Sequence, residues 1–277
     1  MGAPARDGLL PGQDARNRES MSLQTNAKDA ADSGWRETIK IVVQALILAT
    51  VVRTLFYEPF SIPSGSMKDT LLVGDYLFTS KLSYGYSRYS FPWGLISFNG
   101  RIFGAEPKRG DVVVFKLPRD DSIHFIKRVM GLPGDEIEVR NAIVSINGQP
   151  ALQKRAGEYI GPEENWRPKP RYEETLPNGL KHYVLHWEQE GDLDNVGPFK
   201  VPAGNYFMMG DNRDDSIDSR VSSLGNGVGF VPFQNLVGRA EIIFFSAATD
   251  DPHAFRLTTP WTWPFDIRWA RFFGLIR

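Results

Sequence analysis

The run "IKIVVQALILATVVRTLFY", from Ile39 to Tyr57, limits the fold more than any other part of the chain. It is close to the roughly 20 apolar residues that a membrane-spanning helix needs. Lys40 and Arg53 lie near its ends, where long cationic side chains can reach the headgroups. Gln44 and Arg53 keep open the alternative of a buried amphipathic helix in a soluble domain. A cleaved leader fits less well, because "TLFYEPFSIP" has bulky residues where a small-x-small cut site would stand. The expectation is a single anchor over 36–58. Lys28, Arg36 and Lys40 lie on its N-terminal side and Glu58 follows it, a bias that places the N-terminus in the cytoplasm and the body outside. Residues 1–35 carry hardly any large apolar side chains and read as a disordered cytoplasmic tail.

The rest of the chain reads as mainly β. Short runs such as "DVVVF" from Asp111, "EIEV" from Glu136, "AIVSI" from Ala142 and "AEIIFF" from Ala240 are bounded by Gly, Pro, Asn and Asp, and helical periodicity is nearly absent. Asn147-Gly148 and Asn178-Gly179 each predict a tight hairpin. Residues 150–200 are more polar than their flanks and read as a β-rich insertion into a core formed by 59–149 and 201–260. The last segment, 261–277, "WTWPFDIRWARFFGLIR", is an amphipathic aromatic tail. It would put Phe265, Trp269, Phe272 and Ile276 on one helical face, suited to core packing or to the membrane interface.

Composition removes several chemistries. The absence of cysteine excludes disulfides, thiolate nucleophiles and Cys-based metal sites, and a net charge of -1 gives no basic field for nucleic acid. His182 and His186 are four apart but lack the Glu of a zinc peptidase helix, and they read as a coincidental surface pair. Three segments remain. "PSGSM", Pro63–Met67, offers two serines that are either an ordinary turn or a source of a nucleophilic hydroxyl, which needs a base beside it. "HFIKRVMGLPGDEI" offers His124, and also Lys127, which can act as a base only if burial leaves its amine neutral; otherwise Lys127 and Arg128 are a solvated pair. "GDNRDDSIDSR", 210–220, misses the Gly and Glu of a calcium loop and reads as an ion-paired structural loop.

An anchor followed by these three segments in this order resembles the bacterial type I signal peptidases, also called leader peptidases, from about Arg36 to Phe245. The resemblance implies a fold of two antiparallel β-domains, a catalytic core with a β-rich insertion, and a serine endopeptidase of the plasma (inner) membrane. It implies Ser66 as nucleophile, Lys127 as general base, the Ser66 N–H and the Ser64 hydroxyl as oxyanion donors, and Ser216 as the residue that orients the lysine. Arg128, Asp211, Asp218 and Arg220 would brace the site by ion pairing. No cofactor or metal is implied. The partners are secretory preproteins with small residues before the cut and the lipid bilayer, with no nucleic acid and a monomeric chain. Unlike the best-known two-span members, this chain shows one span. Self-cleaving repressors of the LexA type share a Ser/Lys pair but lack an anchor. An inactive, anchored peptide-binding β-domain would lack Ser66 or Lys127.

Overall fold

The computed structural model describes residues 35–91, 98, 100–161, 167–187, 191–256 and 258–277. Nearly all of the expected N-terminal tail lies outside them. Helix α1, Trp35–Leu55, is 21 residues long, and Ile41, Leu46, Ile47 and Leu48 are exposed along it. A helix with apolar side chains on every side suits a hydrocarbon surround rather than water. Its length and composition are those of a membrane anchor.

Residues 53–277 form a second compact unit, and it is built of strands. In chain order these are β1 Tyr57–Ser61, β2 Asp75–Ser80, β3 Val112–Leu117, β4 Asp120–Gly131, β5 Glu136–Arg140, β6 Ile143–Ile146, β7 Gln149–Pro150 and β8 Leu152–Tyr159. They continue as β9 Lys169–Thr175, β10 Lys181–Leu185, β11 Val196–Lys200, β12 Asn205–Met209, β13 Val231–Pro232, β14 Leu236–Ser246 and β15 Gly274–Leu275. Among the described residues they make three antiparallel sheets. The largest runs β1-β2-β14-β3-β4-β12-β13, with β15 added to β14; the others run β10-β9-β8 and β11-β5-β6-β7. The fold is mainly β, as the short Val/Ile/Phe runs imply.

The hairpins follow turn chemistry. Asn147 and Gly148 have φ of 53° and 76° and join Ile146 to Gln149 as a two-residue loop, the left-handed pair that suits strand twist. Asn178-Gly179 instead belongs to a three-residue loop closed by Leu176 N–H to Leu180 C=O, with Gly179 at φ 83°.

The C-terminal part of β4, from Lys127, and most of β12 are buried on both faces, so alternate side chains enter two cores. Val129, Tyr206 and Met208 pack with Phe115 and Leu236, whereas Met130, Phe207 and Met209 pack with Ile137 and Val144. Ala151 and Leu176 of the polar stretch join that second core. A third core holds Ile62, Met67, Leu71, Leu77, Val112 and Ile243. Ile62 and Met67 flank Ser66, so the "PSGSM" turn is fixed at both ends by burial.

The terminal segment is not one helix. It consists of α2, Trp263–Asp266, a 3-10 turn, Trp269–Arg271, and β15. Extended backbone at Ile267, φ -85° and ψ 126°, ends the helical path. Tertiary bonds outweigh the helical periodicity here. Arg271 grips Asp75 through two bonds of 3.0 and 2.6 Å, and Ile276 enters the third core while Phe265 and Trp269 stay exposed. Asp75 is fully buried and takes its other bonds from Ser246 Oγ and the Leu72 N–H. Replacing Arg271 by Met should therefore lower unfolding stability by about 3 kcal/mol or more, the cost of leaving one member of a buried pair alone. Urea unfolding followed by tryptophan fluorescence measures it, and a parent-like midpoint would show that the pair does not hold the tail.

Candidate active site

Ser66 sits in a 3-10 turn, Gly65–Met67, entered from Ser64 in extended conformation. The turn is closed by Lys68 N–H to Gly65 C=O at 3.1 Å, which leaves the Ser66 N–H unused by the turn. Ser64 makes no side-chain cap bond and is an exposed residue. Strand β4 brings Lys127 to the same place: Lys127 Nζ and Ser66 Oγ are hydrogen-bonded at 2.5 Å across 61 residues of sequence. Lys127 is 2% exposed, and its amine lies 5.4 Å from the Phe125 ring. Burial pushes its pKa down to about 8; Asp218 and Asp211 pull upward and Arg220 downward.

The next residue along β4 points the other way, as strand alternation requires. Arg128 is fully buried and donates to both Asp211 oxygens at 2.9 and 2.7 Å and to Gly110 C=O at 2.7 Å. Thr70 Oγ1 also donates to Asp211 at 2.5 Å. The Lys127-Arg128 pair is thus inside the protein, not on its surface. In the 210–220 loop, Asp218 accepts from Arg220 Nε and Nη2, both at 2.9 Å, and from Gly210 N–H at 3.1 Å. Burial opposes ionisation of Asp211 and Asp218, but Arg128 and Arg220 hold both carboxylates below the usual range. Ser216 is buried near this network, and among the described residues its Oγ does not bond Lys127 Nζ, which bonds Ser66 Oγ. Gly210 makes the close approach possible: a Cβ there would lie 2.2 Å from Ser216 Oγ and 2.5 Å from Ser66 O.

Beside Ser66 and Lys127 opens a cleft of about 260 Å³, walled by Phe60, Ile62, Pro63, Val114, Phe125 and Ile126. His124 lines it too, its ring centroid 5.2 Å from that of Phe60, but no bond links it to Ser66. Among the described residues no group of three His, Asp or Glu side chains could hold a metal.

The Signal peptidase, peptidase S26 family model matches residues 35–245. The chain belongs to this family. Family members of known name resemble it over most of their length. Signal peptidase I of Rickettsia typhi is 44% identical over 209 residues, covering 73% of this chain and 76% of its own. That of Rickettsia canadensis is 42% identical over 234 residues, 82% and 84%. A crystal structure of a signal peptidase I from Enterococcus faecalis V583 is 26% identical and matches 49% of this chain and 97% of its own at a TM-score of 0.30. The chain is a serine peptidase that removes signal peptides from exported preproteins.

His182 and His186 are not a surface pair. They are 5% and 6% exposed: His182 Nε2 lies 3.2 Å from Glu174, and His186 stacks on Tyr172 at 4.3 Å. His182 lies within β10 and His186 just past its end; His182 faces Glu174 and Asp211, while His186 meets Gln153 and Tyr172. Glu174 and Lys169 were not legible as site residues. Glu174 forms two bonds with Arg213, at 2.9 and 2.5 Å, and Lys169 reaches Asn212 and Asp215 at 2.7 and 2.6 Å. A charged residue in a polar run carries no mark of burial; only the pairing of β9 beside the loop reveals it.

A base must be neutral to accept a proton, so turnover should rise with pH through about 8. Asp218→Asn removes the anion that most raises the Lys127 pKa, so the midpoint should move to lower pH. The check is kcat/KM against pH for parent and variant. A midpoint that stays in place or climbs would mean that another group sets the profile.

Proposed function

We propose that the chain removes signal peptides with Ser66 as nucleophile and Lys127 as general base. The observation that carries this is the buried Lys127 amine bonded to the Ser66 hydroxyl, with its pKa lowered by burial. Neutral Lys127 takes the Ser66 proton as Oγ attacks the scissile carbonyl. The tetrahedral oxyanion is met by the Ser66 N–H, unused by its own turn, and by the Ser64 hydroxyl at the turn's entry. As the C–N bond breaks, the Lys127 ammonium returns its proton to the leaving amine. Water activated by the same amine then hydrolyses the acyl-enzyme. Ser216, buried beside the Asp218-Arg220 pair, is assigned the part of orienting Lys127. Arg128 with Asp211, and Arg220 with Asp218, hold the surrounding charge fixed.

The narrow apolar cleft beside Ser66 supports a preference for small residues before the cut. The bilayer is the second partner. Helix α1 spans the bacterial inner membrane once, its N-terminus in the cytoplasm and the body outside, in line with Arg36 and Lys40 before it and Glu58 after it. The exposed Trp261, Phe265 and Trp269 supply an interfacial contact for the terminal segment, and the chain works as a monomer.

On a purified preprotein, Ser66→Ala and Lys127→Ala should each abolish cleavage while the fold persists, because the two act as one unit. Ser64→Ala should lower kcat by about 10²-fold, as for one lost oxyanion donor. Substantial turnover by Ser66→Ala would remove the assignment.

A further inference from the structure

The nucleophile turn is held from outside itself. Asn212 is 1% exposed and clamps two successive carbonyls of that turn: its backbone N–H donates to Ser66 C=O at 3.1 Å and its Nδ2 to Gly65 C=O at 3.2 Å. Gly65 C=O then has both lone pairs filled, by Asn212 and by Lys68 N–H. An amide has two possible orientations, and here a buried cation selects one. Lys169 Nζ, fully buried on β9, donates to Asn212 Oδ1 at 2.7 Å. An ammonium can only donate, so Oδ1 must face Lys169 and Nδ2 must face Gly65. The backbone of Asn212 is fixed as well. Leu185 at the end of β10 brackets it, donating to Asp211 C=O at 2.9 Å and accepting from Arg213 N–H at 2.8 Å. On the other side of Ser66, Arg171 of β9 pairs with Asp69 at 2.6 Å.

We infer that Asn212 is a positioning residue for the nucleophile, and that Lys169, from the polar 150–200 stretch, sets its amide so that the Ser66 N–H and hydroxyl stay aimed at the substrate carbonyl. This rests on Ser66 being the nucleophile. Asn212 touches neither substrate nor Oγ; it acts through the carbonyls on both sides of the Ser66 N–H. A shift of the turn by one ångström would move the attacking oxygen and the oxyanion donor together, which costs on the order of 10²-fold in rate. Lys127 is left untouched, so the pH at which its amine loses its proton should not move.

The test uses the full chain in detergent with one preprotein, reading kcat, KM, the pH midpoint and the thermal unfolding temperature. Asn212→Ala should lower kcat by about 10²-fold with KM and the pH midpoint at parent values. Asn212→Asp keeps the shape, the backbone bond and the contact to Lys169, but sets an acceptor against Gly65 C=O; it should stay folded with kcat lowered to a similar degree. Lys169→Met should lower kcat by a smaller factor, and the double variant Asn212→Ala with Lys169→Met should be no slower than Asn212→Ala alone, since the two residues form one unit. Lys181→Met, which removes an exposed pair with Glu173 in the same sheet, should match the parent. A folded Asn212→Asp with parent kcat overturns the inference, as does a double variant whose losses simply multiply. Ser66→Ala is run alongside. If it still cleaves, the nucleophile assignment has failed whatever Asn212 does; if it is inactive while the Asn212 variants match the parent, only the positioning role has failed.

Discussion

Everything around Ser66 is organised by one constraint: an amine must be kept out of water beside a hydroxyl without acquiring a carboxylate of its own. A free carboxylate next to Lys127 would hold the ammonium form, and a lysine left in water would stay near its ordinary value of about 10.4. The chain places Asp211 and Asp218 close enough to act on Lys127, yet each is engaged by an arginine, Arg128 or Arg220. The carboxylates therefore belong to buried ion pairs, and burial remains the larger influence on the lysine. The position of Lys127 on β4 follows from the same need. Phe125 and Val129 lie two residues to either side, on the face that Lys127 shares, so the amine enters an apolar layer.

Strand alternation then dictates where the charge goes. Because successive residues of β4 face opposite ways, Lys127 can serve the cleft while Arg128 supports the loop behind it. A strand gives two adjacent residues opposite surroundings. Gly210 completes the fit, since the 210–220 loop comes so near the Ser66 carbonyl that a Cβ would collide with it. The turn itself is anchored by Met67 and Ile62 in the third core. Hydrophobic burial thus fixes where the serine is, and hydrogen bonds to the backbone fix how it points.

Much of this could be read from the sequence, and the reasons differ by element. The anchor, the Val-rich β3, the alternation of β5 and β6 and the Asn147-Gly148 turn each follow from local chemistry, since a run of apolar residues or a left-handed dipeptide has few other uses. The terminal segment misled because its 3.6-residue periodicity is real, yet Arg268 and Arg271 are bonded to the body and set its path. Arg268 reaches Val73 C=O at 2.7 Å and Asp250 at 2.5 Å. In the site region, "PSGSM", Lys127 and the 210–220 loop could be quoted as segments, but their proximity is a long-range fact. The 2.5 Å contact joins residues 61 positions apart, and no local pattern encodes it.

The polar stretch 150–200 shows why residue type alone is a poor guide to burial. Read as solvent-facing, its Lys169, Glu174 and His182 would be ordinary surface charges. All three are buried, and each meets a group of the 210–220 loop or its support: Asn212 and Asp215 for Lys169, Arg213 for Glu174, and Glu174 with Asp211 for His182. A loop with six charged residues, Asp211, Arg213, Asp214, Asp215, Asp218 and Arg220, cannot pack against apolar neighbours without stranding charge, so whatever covers it must itself be polar. Partner charges are what the polar stretch provides. Its polarity is therefore the complement of the loop's, and its apolar residues Ala151 and Leu176 do the separate work of joining it to the core. Trimming these inward-facing charges to make the stretch look more like a conventional strand would leave Arg213 and Asn212 without their buried partners Glu174 and Lys169, and the loop that faces Ser66 would lose contacts that hold it in register.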